Sequence, residues 1–276
     1  MKRKKIFRWL KIIIILYCSI GIALYYLQEK FLFHPEKLSA SYVYHFSQID
    51  SGKIHFEEMN IPFNNTDTVN MIKFFPADSI RKGVVVYYHG NKENIERYAK
   101  FASNFTKHGY EVWMEDYPGF GKSTGKRTED ILYKEAMQVQ KMAAAKYGKD
   151  SIIIYGKSLG TGIAAYVASQ SNNKMLILET PYYSIPSLFS CYAPIYPTSL
   201  MSTYKIPVNQ FLSDVNYPIV IFHGTNDGVI PYRNAARLKR VLKPTDEFIS
   251  IKDGTHHNLN DFDLMKQKLD SLLNLQ

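Results

Sequence analysis

Residues 151–170 read SIIIYGKSLGTGIAAYVASQ. The opening Ser151-Ile152-Ile153-Ile154-Tyr155 is a β-branched and aromatic run, which suits a strand covered on both faces. The closing stretch, from Leu159 onward, has the composition of a buried helix. Between them stands Gly156-Lys157-Ser158-Leu159-Gly160, a G-x-S-x-G turn between strand and helix. A serine there sits on a strained turn, and the residues two away must be small because strand and helix crowd them. Gly162 also lets the helix approach the sheet closely. Gly and Ser mark ordinary turns too, so the context carries the reading: Ser158 is the candidate nucleophile.

Working outward, short apolar runs alternate with amphipathic stretches, the pattern of a mostly parallel sheet flanked by helices, an α/β fold. Strands are expected at 83–88, 110–115, 151–155, 175–179, 218–222 and 247–252, with an antiparallel opening pair at 54–61 and 69–75. Helices are expected at 93–107, 128–147, 159–170, 232–242 and 261–273. The interval 181–217 is long, aromatic and Pro-punctuated with no clear period, as expected of a lid.

Two phosphate-loop look-alikes fail on spacing. Gly156-Lys157-Ser158 and Gly121-Lys122-Ser123 would each need a glycine five positions before their own, where Ser151 and Asp116 stand. Three other turns follow strands and carry polar groups. His89-Gly90-Asn91 ends VVVYYH, and on its own is a tight turn with glycine. Asp227, in the run 224–231 after PIVIFH, suits an acid that orients a histidine, although Asp and Gly are also common turn residues. Gly254-Thr255-His256-His257-Asn258-Leu259 follows the last strand and offers two adjacent histidines as the base. The chain order Ser…Asp…His is one that serves nucleophilic acyl transfer. The remaining histidines, His34, His45, His55, His89, His108 and His223, are scattered without zinc-site spacing, so no metal or other cofactor is expected.

These segments, with Phe33-His34-Pro35, the run 116–123 and Glu179-Thr180-Pro181, resemble the membrane-anchored α/β-hydrolases of the serine-aminopeptidase and monoacylglycerol-lipase branch. The resemblance covers the chain from about Phe31 to its end. It implies an α/β-hydrolase fold with a short lid and a Ser158, Asp227, His256 triad, with Leu259 setting the register that selects His256 over His257. It further implies an oxyanion hole from the backbone N–H groups of Asn91 and Leu159. Pro118 departs from the commonest pattern, which has a basic residue there; that position is outside the triad. The resemblance leaves the substrate open, because the branch includes esterases, thioesterases, lipases and aminopeptidases.

Residues 12–27 read IIIILYCSIGIALYYL and contain no charge. Phe7, Trp9 and Leu10 extend the run toward the ~20 residues of a membrane-spanning helix. Of the net charge of +9, six positive charges belong to Lys2, Arg3, Lys4, Lys5, Arg8 and Lys11, leaving +3 elsewhere. The basicity thus marks the leader and not a nucleic-acid face, and it predicts a cytoplasmic N-terminus with the rest outside. A cleaved signal peptide remains an alternative, since Gly21-Ile22-Ala23 is a small-x-small triplet, as does lipidation of Cys18, although Tyr17 precedes it. With Cys191 the only other cysteine, no disulfide framework is expected. The expected organisation is an anchor at 1–28, a linker at 29–51 and a catalytic domain at 52–276.

The expected activity is cleavage of an ester or thioester by a serine hydrolase. The 181–217 segment is aromatic and lacks acidic residues until Asp214, which favours a lipophilic acyl substrate over a peptide amino terminus. An aminopeptidase and a non-catalytic α/β-hydrolase scaffold are the alternatives. Oligomeric state is not legible.

Overall fold

The computed structural model describes residues 2–46, 49, 54–78 and 81–274. Its centre is an eight-stranded sheet in the order β10-β9-β8-β7-β4-β6-β3-β2. These strands are β2 (His55–Pro62), β3 (Thr68–Phe75), β4 (Gly83–Tyr88), β6 (Tyr110–Glu115), β7 (Ile152–Lys157), β8 (Met175–Glu179), β9 (Ile219–Gly224) and β10 (Glu247–Ile251). Only β3 runs against the rest, pairing antiparallel with both β2 and β6. The expected opening antiparallel pair and the parallel core are both present.

Side-chain alternation along the strands feeds two apolar layers. In β4, Val84, Val86 and Tyr88 face one layer while Val85 and Tyr87 face the other. The first layer is completed by α4 (Glu129–Lys146), α5 (Gly160–Gln170) and α8 (Val208–Ser213). The second is completed by α2 (Ile95–Ala99), α3 (Ser103–Thr106) and α10 (Asp263–Asn274). Burial on both faces explains why β4, β7 and β8 read as nearly unbroken apolar runs, whereas β6 carries Glu111 and Glu115 into the interior.

Several elements depart from the sequence expectation. The 93–107 helix is two short ones, separated by turns in which Phe101 and Ala102 donate to Tyr98 and Ala99. The 232–242 helix is one turn of α-helix, α9 (Tyr232–Ala235), tightening into a 3-10 segment, Ala236–Arg240. The interval expected to form a lid, 181–217, contains α6 (Ile185–Tyr192), α7 (Thr198–Met201) and α8, elements too short to reveal a period in sequence.

The N-terminal helix α1 (Lys2–Leu32) runs past the expected anchor end at residue 28. The stretch read as a linker packs closely: Leu32 and Phe33 join one core layer, and Tyr44 and Phe46 the other. Within it, β1 (His34–Pro35) pairs in parallel with β5 (Lys92–Glu93), beside the candidate site. The boundary expected between residues 51 and 52 lies outside the described residues.

Candidate active site

Ser158 stands at the carboxyl end of β7, where the chain turns directly into α5. Its φ is +52°, a left-handed conformation that costs a residue with a Cβ about 1–2 kcal/mol. The surroundings enforce it. Ser158 N–H donates to Glu179 O at 2.9 Å. A Cβ on Gly156 would lie 2.6 Å from Gly160 O, and one on Gly160 would lie 2.0 Å from Tyr88 O. The glycines of the motif are therefore set by the close passage of α5 over β4 and β7.

The structure brings the three candidate triad residues together at the carboxyl edge of the sheet. Ser158 Oγ lies 2.8 Å from His256 Nε2, and His256 Nδ1 lies 2.8 Å from Asp227 Oδ2. All three are buried. His257 points elsewhere, its ring edge-on to His256 with centroids 5.1 Å apart, and it is exposed. Asp227 lies three residues beyond β9, and its Oδ1 accepts from the N–H groups of Val229 and Ile230, both at 2.8 Å. Burial alone would raise the Asp227 pKa, but the hydrogen bond and charge of His256 outweigh it and hold the carboxyl below its ordinary value.

The Asn91 loop is held from two sides. Asn91 Nδ2 donates to Leu32 O at 2.9 Å, and Asn91 O accepts from His34 N–H at 2.9 Å. His89 beneath it is fully buried between Tyr98 and Tyr117, and Tyr117 Oη donates to His89 O at 2.7 Å. Its Nε2 sits 3.2 Å from Asp116 Oδ1 but outside hydrogen-bonding geometry. Asn91, Ser158 and Leu159 all line one cavity of about 740 Å³, a size that suits a small-molecule ligand. Among the described residues, none that lines it is charged.

Two supporting groups escape sequence reasoning. His223 is fully buried, with Nε2 2.9 Å from Ile230 O and 3.5 Å from Asp227 Oδ2. Burial lowers its pKa below the ordinary histidine value, so the neutral ring donates from Nε2 to Ile230 O beside the acid. Behind the serine turn, Lys157 and Glu179 form a buried ion pair. Glu179 also accepts from Tyr155 Oη at 2.6 Å and from Asn260 Nδ2 at 3.0 Å, which ties the turn to the loop after His256. His223 meets its partners across the turn that follows its own strand, while the Glu179 cluster depends on the pairing of β7 with β8.

The family described as serine aminopeptidase, S33, matches residues 79–211. That span includes Asn91 and Ser158 and ends before Asp227 and His256. The chain is similar to Protein ABHD12B of Homo sapiens, at 28% identity over 210 residues covering 64% of this chain and 56% of the relative. It is similar to alpha/beta hydrolase domain-containing protein 17B of Homo sapiens, at 28% over 198 residues covering 69% and 65%. The chain thus spans less than two thirds of the length of these relatives. Among solved structures, it is similar to the Pyrococcus furiosus esterase Pf2001, with a TM-score of 0.67 at 16% identity over 88% of this chain and 96% of that one. It is also similar to Butyrivibrio proteoclasticus Est1E with ferulic acid bound, with a TM-score of 0.62 at 19% identity over 78% and 97%. At such identities the likeness is one of fold. Sheet order, the single reversed strand, the serine turn and these structural matches together give the chain the α/β-hydrolase fold.

Proposed function

We propose that this chain is a serine hydrolase that cleaves a lipophilic ester or thioester through an acyl-enzyme. The observation that supports it best is the continuous hydrogen-bonded line Asp227–His256–Ser158 opening on an uncharged cavity. Ser158 Oγ attacks the acyl carbonyl while His256 Nε2 takes its proton. The oxyanion forms toward the backbone N–H groups of Asn91 and Leu159, neither of which has a backbone acceptor among the described residues. Collapse breaks the bond to the leaving alcohol or thiol, which receives the proton from His256. Water, deprotonated in turn by His256, attacks the acyl carbonyl and releases the acid. Asp227 holds the ring with Nδ1 protonated and stabilises the imidazolium.

The lining argues for ester or thioester over peptide. An aminopeptidase must neutralise the ammonium of its substrate, and among the described residues none lining the cavity carries a carboxylate. Helix α1 is long and apolar enough to cross a membrane. We assign it as the anchor, with the basic N-terminus on the cytoplasmic side and the catalytic domain outside.

The test is Ser158→Ala in the full chain. The expected outcome is an unchanged melting temperature with loss of both fluorophosphonate labelling and ester turnover. Undiminished labelling of the folded variant would remove the reading.

A further inference from the structure

Helix α1 forms one wall of the cavity. Tyr17, Gly21, Leu24, Gln28 and Leu32 recur at steps of three and four, so they share one helix face. That face meets the lid. The ring of Tyr17 stacks on Tyr196 with centroids 4.7 Å apart. Tyr17 Oη donates to Ile195 O at 3.0 Å, and Tyr196 Oη donates back to Tyr17 O at 3.1 Å. A Cβ on Gly21 would stand 3.1 Å from the Tyr196 ring, so the missing side chain admits it. Gln28 Nε2 donates to Met201 O at 3.2 Å and its Oε1 accepts from Thr203 N–H at 2.6 Å. Ile20, Leu24, Tyr25 and Phe31 line the same cavity as Ser158.

Helix length fixes where these contacts lie. At 1.5 Å per residue, the nineteen steps from Lys11 to Lys30 span about 28 Å, close to the ~30 Å hydrocarbon layer. Tyr17 lies only six steps from Lys11, about 9 Å. A helix that crosses the apolar layer between these lysines therefore carries its lid contacts into that layer. The lid is built for it. Residues 180–204 contain no charged side chain, and Ile195 and Leu200 are 70% and 82% exposed. Loop backbone groups have no water to bond in hydrocarbon. The polar side chains of α1 supply partners instead, Tyr17 for Ile195 O and Gln28 for Met201 O and Thr203 N–H.

We propose that the lid lies within the bilayer against α1, and that the cavity takes the acyl chain of a membrane-resident lipid laterally from the hydrocarbon layer. This rests on Ser158 as nucleophile, and names the substrate class of that site. Substrate reaches the serine between α1 and the lid without passing through water.

The test uses the full chain in phosphatidylcholine vesicles. Leu200 is outside the cavity lining, so Leu200→Trp reports depth and Leu200→Lys perturbs insertion without touching the site. Bromines on the lipid acyl chains should quench the fluorescence added by Leu200→Trp. Leu200→Lys should lower hydrolysis of a long-chain ester held in the vesicle by at least ~10-fold. Hydrolysis of a soluble short-chain aryl ester and fluorophosphonate labelling should stay at the parent level. An unquenched tryptophan in Leu200→Trp, or Leu200→Lys with vesicle hydrolysis unchanged or with both substrates lost equally, would overturn the proposal. Short-chain turnover that survives Ser158→Ala would instead defeat the serine-hydrolase reading, and the depth measurement would stand apart from it.

Discussion

Gly160→Ala places one methyl group where α5 passes over the end of β4. The new Cβ would lie 2.0 Å from Tyr88 O, 2.5 Å from Tyr88 C and 2.6 Å from His89 O, against a shortest tolerable approach of 3.0 Å. All three atoms are backbone, so no rotamer change can relieve the clash. The helix must retreat by at least 1.0 Å, the difference between 3.0 and 2.0 Å. That retreat moves Ser158 and the Leu159 N–H together, away from His256 and the Asn91 loop. A displacement of ~1 Å at a reacting group costs about 100-fold in rate, and overpacking of this kind costs about 1–3 kcal/mol of stability. At ~2–4 °C per kcal/mol for a domain near this size, the melting temperature should fall by roughly 2–12 °C. The assay is kcat on a short-chain ester beside a calorimetric melt. Gly148→Ala is the matched control: nothing lies within 4 Å of its Cβ and its φ is −65°, so it should be neutral or stabilising by about 0.4–1 kcal/mol. Parent-like turnover and melting in Gly160→Ala would refute the claim that close helix passage dictates the motif.

His256→Ala should lower kcat by about 10⁴, and His257→Ala by less than about 10-fold; steady-state rates on one ester decide it, and reversed losses would move the base to His257. Glu135, buried on α4, has its pKa pushed up to about 8, first by burial and then by the negative charge of Asp67. The folded chain keeps a proton that the unfolded chain releases above about 4.3, so this residue lowers stability as pH rises from there to its folded value. The melting-temperature advantage of Glu135→Gln should therefore grow between pH 5 and 8, and a constant difference across that range would contradict the burial argument. A reporter active only in the cytoplasm, fused to the C-terminus, should be silent if α1 inserts with its basic end inside; an active reporter would reverse the assigned orientation.

The parts of the molecule legible in the sequence are those governed by local pattern. Strands β4 and β7 announce themselves because burial on both faces favours a β-branched, apolar run. Gly156 and Gly160 are readable because a Cβ at either position would strike the neighbouring backbone. The parts that escape depend on how the chain folds, whether the partners are near or far in sequence. The pairing of His34-Pro35 with Lys92-Glu93 spans two residues, too few for any alternation to register. His223 looks like an ordinary strand residue until β9 and the Asp227 turn bring it against the acid. The break in the 93–107 helix likewise has no Pro or Gly to mark it. Two adjacent histidines share the same local pattern; the register of the resemblance selects His256 through Leu259, and the fold places His256 Nε2 against Ser158 Oγ.

The loop carrying Asn91 owes its position to Leu32 O and His34 N–H, two groups some sixty residues upstream. Both lie outside the 79–211 span that the family match recognises. The smallest piece of chain able to hold this site is therefore larger than the smallest piece that shows kinship. A version trimmed to begin just after residue 28 would keep both anchoring groups while dropping most of the apolar helix. One trimmed to the start of the kinship span would fold, if at all, with a neighbour of its serine left untethered.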